Sequence, residues 1–286
     1  MIFVVALATG APAAFATTNE RGRYLVTTIL ACGNCHSPRD AGGAFIPGRE
    51  LSGGLAFDIP PFAGTASNIT PDRETGIGTW SDAEIKAALT KGERPAHAPL
   101  AGVPLGPIMP VAFYKAILPA DLDAIVAYLR SVPAVRNPVP PPVYRMAPTH
   151  QPYPDASRSY GAPRDAAERG RYLATIGHCM ECHTPVTRAG TDYETAFGKG
   201  GRAFTPALVA GLGPSFTGST SPNITSHATA GIGAWSDAEI RRAITSGIGR
   251  DGRALNAPMG FSFYAALTAR DLDDLVAWLR TVPPLP

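Results

Sequence analysis

Near the end of each half of the chain, apolar residues recur with the period of a half-buried helix. They are Leu122, Ile125, Val126 and Leu129 in the first half and Leu272, Leu275, Val276 and Leu279 in the second. Upstream, Ser81-x-x-Glu84 and Ser236-x-x-Glu239 have the capping-box form, in which the serine oxygen and the glutamate satisfy free amides of a first helical turn. Gly92 and Gly247 stand where those helices should stop, and Thr268-x-x-Asp271 supplies an N-cap to the last helix. Glycine (30) and proline (29) are abundant, which predicts long loops and few long strands between the helices. The expected fold class is all-α.

The pattern is written twice. Glu20-Arg21-Gly22-Arg23-Tyr24-Leu25 returns letter for letter as Glu168-Arg169-Gly170-Arg171-Tyr172-Leu173. Asn68-Ile69-Thr70 returns as Asn223-Ile224-Thr225, and Gly76-Ile77-Gly78-Thr79-Trp80-Ser81-Asp82 returns as Gly231-Ile232-Gly233-Ala234-Trp235-Ser236-Asp237. Asp121-Leu122-Asp123 matches Asp271-Leu272-Asp273. A period of half the chain implies duplication of a whole domain, since solenoid repeats run roughly 20 to 50 residues. The 286 residues divide accordingly into a leader over 1–16, units over 17–135 and 165–286, and a proline-rich linker over 136–164. Such a linker either acts as a semi-rigid extended spacer or wraps a domain face through Tyr144, Tyr153 and Tyr160.

All four cysteines lie in two copies of one pentapeptide, Cys32-Gly33-Asn34-Cys35-His36 and Cys179-Met180-Glu181-Cys182-His183. Cys-x-x-Cys-His reads as a c-type haem attachment site: two thiols add to the porphyrin vinyl groups and the histidine takes one face of the iron. Zinc ribbons set their paired knuckles roughly 15 to 20 residues apart, whereas more than half the chain separates these two. A thioredoxin-type dithiol would need a βαβ context, and none follows. The expected cofactors are two covalent haems, held by Cys32 and Cys35 and by Cys179 and Cys182, with His36 and His183 on the irons.

The sixth position separates a carrier from an enzyme. Of five methionines, only Met109 and Met259 occupy matching places in the repeat, each beside a proline that stiffens the backbone. They are the expected axial ligands, with His97 the competitor at the first haem. His178 should point away from its own iron, and His150 and His227 read as exposed loop residues, with His150 a remote further candidate for the iron. Trp80 and Trp235 fill core or donate their indole N–H to a haem propionate. The two Asn-x-Thr segments suggest a fixed loop near the haem edge.

The formal charge is +2 and no basic run points to nucleic acid. Residues 1–16 are apolar and end in Ala14-Phe15-Ala16, an A-x-A cleavage pattern on a stretch shorter than the roughly 20 residues a membrane helix needs. A cleaved export signal and a periplasmic location are expected.

These residues carry a resemblance. Each unit is similar to a class I cytochrome c domain, which implies that the first and last helices cross with Gly22 or Gly170 against Tyr128 or Trp278. The Asn-Ile-Thr and Gly-Ile-Gly-x-Trp-Ser-Asp motifs resemble the cytochrome c subunits of bacterial periplasmic alcohol, aldehyde and gluconate dehydrogenase complexes. Those subunits usually have three haem domains and a membrane-associating C-terminal segment, whereas two units are present here and the sequence stops at Leu285-Pro286. The resemblance therefore implies a soluble shuttle that takes electrons from a dehydrogenase partner and passes them to a cytochrome or oxidase, with membrane association left open. Two rivals stand beside it: a dihaem peroxidase, which needs a haem that opens its sixth position, and a haem subunit fixed in a membrane respiratory complex by its N-terminal segment.

Overall fold

A computed structural model describes residues 15–154 and 163–286. The leader up to Ala14 and the linker residue Tyr160 lie outside the described residues. In the first half five helices follow one another: α1 (Thr18–Thr27), α2 (Cys32–His36), α3 (Asp82–Lys91), α4 (Val111–Tyr114) and α5 (Pro119–Ser131). The second half repeats them as α6 (Ala166–Ile176), α7 (Cys179–Cys182), α8 (Asp237–Ser246), α9 (Phe261–Tyr264) and α10 (Ala269–Leu279).

The helix ends follow their local chemistry. Ser81 and Ser236 close full capping boxes with Glu84 and Glu239, and Gly92 and Gly247 end the same helices in the left-handed region at φ 72° and 63°. Thr268 accepts the Asp271 amide at 3.1 Å. In each half the first and last helices pack at a glycine. A Cβ on Gly22 would lie 1.8 Å from the Ala124 carbonyl oxygen and 2.9 Å from Tyr128 Cβ. One on Gly170 would lie 1.8 Å from the Asp274 oxygen and 2.8 Å from Trp278 Cβ. Only hydrogen fits there, so the backbones touch.

The fold is not all-α. Among the described residues eight short strands form three sheets. In the largest, β1 (Ala56–Ile59) and β2 (Phe62–Thr65) make an antiparallel hairpin around Pro60 and Pro61. On one edge β3 (Val143–Tyr144), from the linker, pairs with β2, and on the other β7 (Val209–Ala210), from the second half, pairs with β1. The remaining strands, β4 (Val186–Thr187) with β5 (Gly190–Thr191) and β6 (Ala203–Phe204) with β8 (Ser219–Thr220), are two-residue pairs. Elements of two to four residues are too short for a two-residue hydrophobic alternation to declare itself. Their backbone groups nevertheless need partners inside a folded loop, and pairing supplies them.

The linker wraps rather than spaces. Asn137 donates to the Ser52 carbonyl at 2.8 Å, Arg145 pairs with Asp58 at 2.7 Å, and Tyr144 meets Phe62 edge-on at 5.2 Å. Farther along, Gln151 exchanges two hydrogen bonds with the Thr191 backbone at 2.7 and 2.8 Å. Tyr153 is buried, stacked 4.3 Å from Phe113 of the first half and edge-on to Tyr193 of the second at 5.2 Å.

The two halves share one hydrophobic core, in which Leu25, Ile29 and Ile125 join Leu173, Ile176 and Leu275. A reciprocal exchange of polar bonds fixes their relation. Tyr24, on α1, donates its hydroxyl to Asp271 at 2.6 Å and accepts the Thr268 amide at 3.1 Å, at the start of α10. Tyr172, on α6, donates to Asp121 at 2.7 Å and accepts the Leu118 amide at 3.3 Å, at the start of α5. Burial, then the Asp271 carboxylate, push the Tyr24 phenol up to about 12, so it stays protonated as a donor. Arg21 grips Asp121 through two bonds of 2.8 Å, and Arg169 grips Asp274 at 2.7 and 2.8 Å.

Replacing Gly22 or Gly170 by alanine is expected to cost about 3 kcal/mol each, because the obstructing atoms are backbone; the urea midpoint measures it. The Tyr24→Phe and Tyr172→Phe substitutions each leave a carboxylate and a helix-start amide short of a partner. An expected loss of about 1–3 kcal/mol per site is read from the same unfolding curves, and no loss in either variant would contradict the reciprocal exchange.

Candidate haem-attachment site

The two Cys-x-x-Cys-His turns are built alike. Ala31 sits in the left-handed region before Cys32 (φ 45°, ψ 40°), and His178 does the same before Cys179 (φ 43°, ψ 36°). A side chain in that region carries roughly 1–3 kcal/mol of strain. Both copies therefore force a sharp change of direction after the first helix, delivering the cysteines on one short helical turn. Cys32 and Cys179 border the main core, whereas Cys35 and Cys182 both border a second apolar cluster of Leu55, Phe204 and Val209. The turns thus meet at the junction between the halves.

Each turn also packs on the opposite half. Asn34 donates to the Pro258 carbonyl at 2.9 Å, and Gly33 faces the Phe263 ring, which a Cβ would approach to 3.0 Å. On the other side His178 lies 6.3 Å from the rings of both Phe113 and Tyr114.

The donor set fits a covalently attached haem. All four cysteines are free and half-buried. Burial raises the Cys32 and Cys179 thiols to about 12 and Cys35 to about 11. His36 Nδ1 lies 2.7 Å from the Ser67 carbonyl and His183 Nδ1 lies 2.9 Å from that of Pro222. A carbonyl can only accept, so Nδ1 carries the proton and Nε2 offers its lone pair to iron. Burial, opposed by those bonds, lowers both pKa values and keeps the rings neutral.

Met109 and Met259 are half-buried and immediately precede the short helices α4 and α9. Their carbonyls accept the amides of Val111 at 2.7 Å and Phe261 at 3.0 Å. Met109 borders the main core. His97, the competitor, is exposed, with Nδ1 3.6 Å from Glu84 Oε1 at the start of α3.

The reading of His150 and His227 as exposed does not hold. His150 is half-buried beside Gly92, because the linker that carries it lies along the first half. His227 accepts the Ala230 amide at 3.0 Å and organises its own turn. His178 lies 3.1 Å from Glu181; burial opposes its charge, but the Cys182 sulfur and the Glu181 carboxylate prevail and push it up to about 10.

Trp80 and Trp235 border the main core, and the structure shows what fixes their loops. Arg130, at the end of α5, donates to the carbonyls of Ile77 and Trp80 and pairs with Asp82 at 2.9 Å. Arg280, after α10, does the same to Ile232, Trp235 and Asp237. These arginines escaped the sequence reading, although Leu129-Arg130 and Leu279-Arg280 recur at equal places. So did the reciprocal tyrosines, whose partners lie in the opposite repeat.

Residues 167–283 match the model of the cytochrome c family. The chain is 28% identical over 276 residues, 92% of its length, to a nicotinate dehydrogenase subunit from Pseudomonas putida, and covers 21% of that protein. It is 28% identical over 285 residues to the cytochrome c subunit of the alcohol dehydrogenase (quinone) of Gluconacetobacter polyoxogenes, covering 93% of this chain and 56% of the other. Similarity to a dihaem c-type cytochrome of Cereibacter sphaeroides reaches 29% over 276 residues, 89% of this chain and 82% of the relative. The chain thus spans about a fifth of the first of these relatives and just over half of the second.

Arg130→Ala or Arg280→Ala removes the guanidinium donor from the carbonyls of a tryptophan loop, Trp80 or Trp235 among them. A loss of about 1–3 kcal/mol is expected, together with a shift in the tryptophan emission of the folded protein; an unchanged spectrum would separate the arginine from the loop.

Proposed function

We propose that the chain is a periplasmic dihaem electron carrier, taking electrons from a dehydrogenase partner and passing them to a cytochrome or oxidase. The carrying observation is that Cys35 and Cys182, one from each attachment turn, border the same apolar cluster. Haem iron, when bound, supplies a one-electron ferrous–ferric couple. In the proposed arrangement Cys32 and Cys35 hold one haem and Cys179 and Cys182 the other, with His36 and Met109, and His183 and Met259, as axial ligands. Trp80 and Trp235 are the proposed propionate donors.

The chain's own residues do the rest. The carbonyls of residues 67 and 222 orient the imidazoles, while Leu55, Phe204 and Val209 give Cys35 and Cys182 a common apolar neighbour. The reciprocal tyrosine–aspartate bonds hold the two turns at fixed separation. Among the described residues no helix is long and apolar enough to cross a membrane.

The test is a spectroscopic redox titration of the purified holoprotein with peroxide challenge. Two haems per chain, low-spin and six-coordinate, at positive potentials and inert to peroxide, are expected. Met109→Ala and Met259→Ala should each convert one haem to a ligand-binding form. A peroxide-reactive or strongly negative haem in the unmutated protein would make it an enzyme instead.

A further inference from the structure

The repeated Asn-x-Thr segments, which no step above uses, are built into a network beside each proximal histidine. Asn68 and Thr70 are buried. Asn68 donates through Nδ2 to the Val135 carbonyl at 2.7 Å and to Thr75 Oγ1 at 3.0 Å. Its Oδ1 accepts the Thr70 amide at 2.9 Å and the Thr70 hydroxyl at 2.7 Å, and that hydroxyl oxygen accepts the Val135 amide at 3.2 Å. Both backbone groups of residue 135, just beyond α5, are therefore caught by one asparagine–threonine pair.

The second half repeats it. Asn223 donates to the Leu285 carbonyl at 2.8 Å, and its Oδ1 accepts the Thr225 amide and hydroxyl at 2.9 and 2.7 Å. Thr225 Oγ1 accepts the Leu285 amide at 3.2 Å. Residue 285 stands beyond α10 as residue 135 stands beyond α5.

The peptide before each asparagine is the one whose carbonyl accepts the histidine Nδ1–H, from Ser67 in one half and Pro222 in the other. It is enclosed on the other side as well. Gly53, at φ 90°, donates to the His36 carbonyl at 2.7 Å, and a Cβ there would fall 2.9 Å from Asn68 N and 3.0 Å from Ser67 C. Gly200, at φ 76°, donates to the His183 carbonyl at 2.8 Å and would meet Pro222 C at 2.4 Å and Asn223 N at 2.6 Å. A peptide held between a glycine and an asparagine clamp cannot drift, so its oxygen stays aimed at the imidazole.

We propose that Asn68 and Asn223 are positioning residues for the proximal histidines, each setting the basicity of its own imidazole by anchoring the carbonyl that receives the Nδ1 proton. The proposal rests on the dihaem reading above. A firm Nδ1–H···O=C bond makes the imidazole electron-rich, which favours ferric iron and lowers the potential; a slack one raises it. The clamp is separate in each half, so each asparagine governs one haem.

The experiment uses holoprotein variants Asn68→Ala and Asn223→Ala, with midpoint potentials from spectroelectrochemistry and the melting temperature recorded alongside. Thr70→Val and Thr225→Val, nearly isosteric, remove the hydroxyl link and serve where an alanine variant fails to fold. The expected result is an upward shift of one midpoint in the residue 68 or 70 variants and of the other in the residue 223 or 225 variants. Unmoved potentials with a lowered melting temperature would reduce the clamp to structural glue and overturn the proposal. So would equal movement of both potentials in every variant. A haem count by pyridine haemochromogen assay comes first: fewer than two haems per unmutated chain removes the dihaem reading itself, a failure distinct from that of the clamp.

Discussion

Each half of this protein begins its last helix on a tyrosine from the other half. The phenol both donates to the aspartate in the first turn and accepts the amide at the helix start, so the bond is part of a cap as well as of an interface. Neither half can reposition its first helix without uncapping its partner's last. Since first and last helices touch backbone to backbone at Gly22 and Gly170, the constraint passes through both crossings to the attachment turns. The junction, the cross-half strand pairing of β1 with β7 and the shared core all depend on the register that these two phenols hold.

That rigidity suits the electrostatics of the site. The cysteines are half-buried, and burial lowers the pKa of both proximal histidines, each of which has one nitrogen committed to a carbonyl. A site so arranged changes little when the charge on a bound metal changes by one unit. Low reorganisation is what electron transfer needs from a protein, as preorganised dipoles are what bond chemistry needs.

Much of this was legible in the sequence, and the boundary is physical. Capping boxes, glycine stops and the helix stripes of α5 and α10 are local, and local chemistry decides them. The Cys-x-x-Cys-His spacing likewise contains its own geometry. The expectation of an all-α fold failed because β1 and β2 form a hairpin of four-residue strands, too short for alternation to declare itself, and β3 and β7 are strands only through partners far along the chain. Arg130, Tyr24 and Asn68 could be seen to repeat, but repetition does not name a partner; each is explained by a residue far along the chain. The linker was undecided from composition, because proline favours extended chain whether or not a surface lies beneath it.

The two halves have stopped being copies in one telling place. Asp121 serves both Arg21 within its own half and Tyr172 from the other. In the second half those duties are divided: Asp271 takes Tyr24, while Asp274, which stands where the first half has Ala124, takes Arg169. After a duplication, such a division makes the halves drift at different rates. Where one carboxylate serves both bonds neither can change alone, whereas bonds on separate carboxylates can change in turn, so the freedom to diverge lies with the second half.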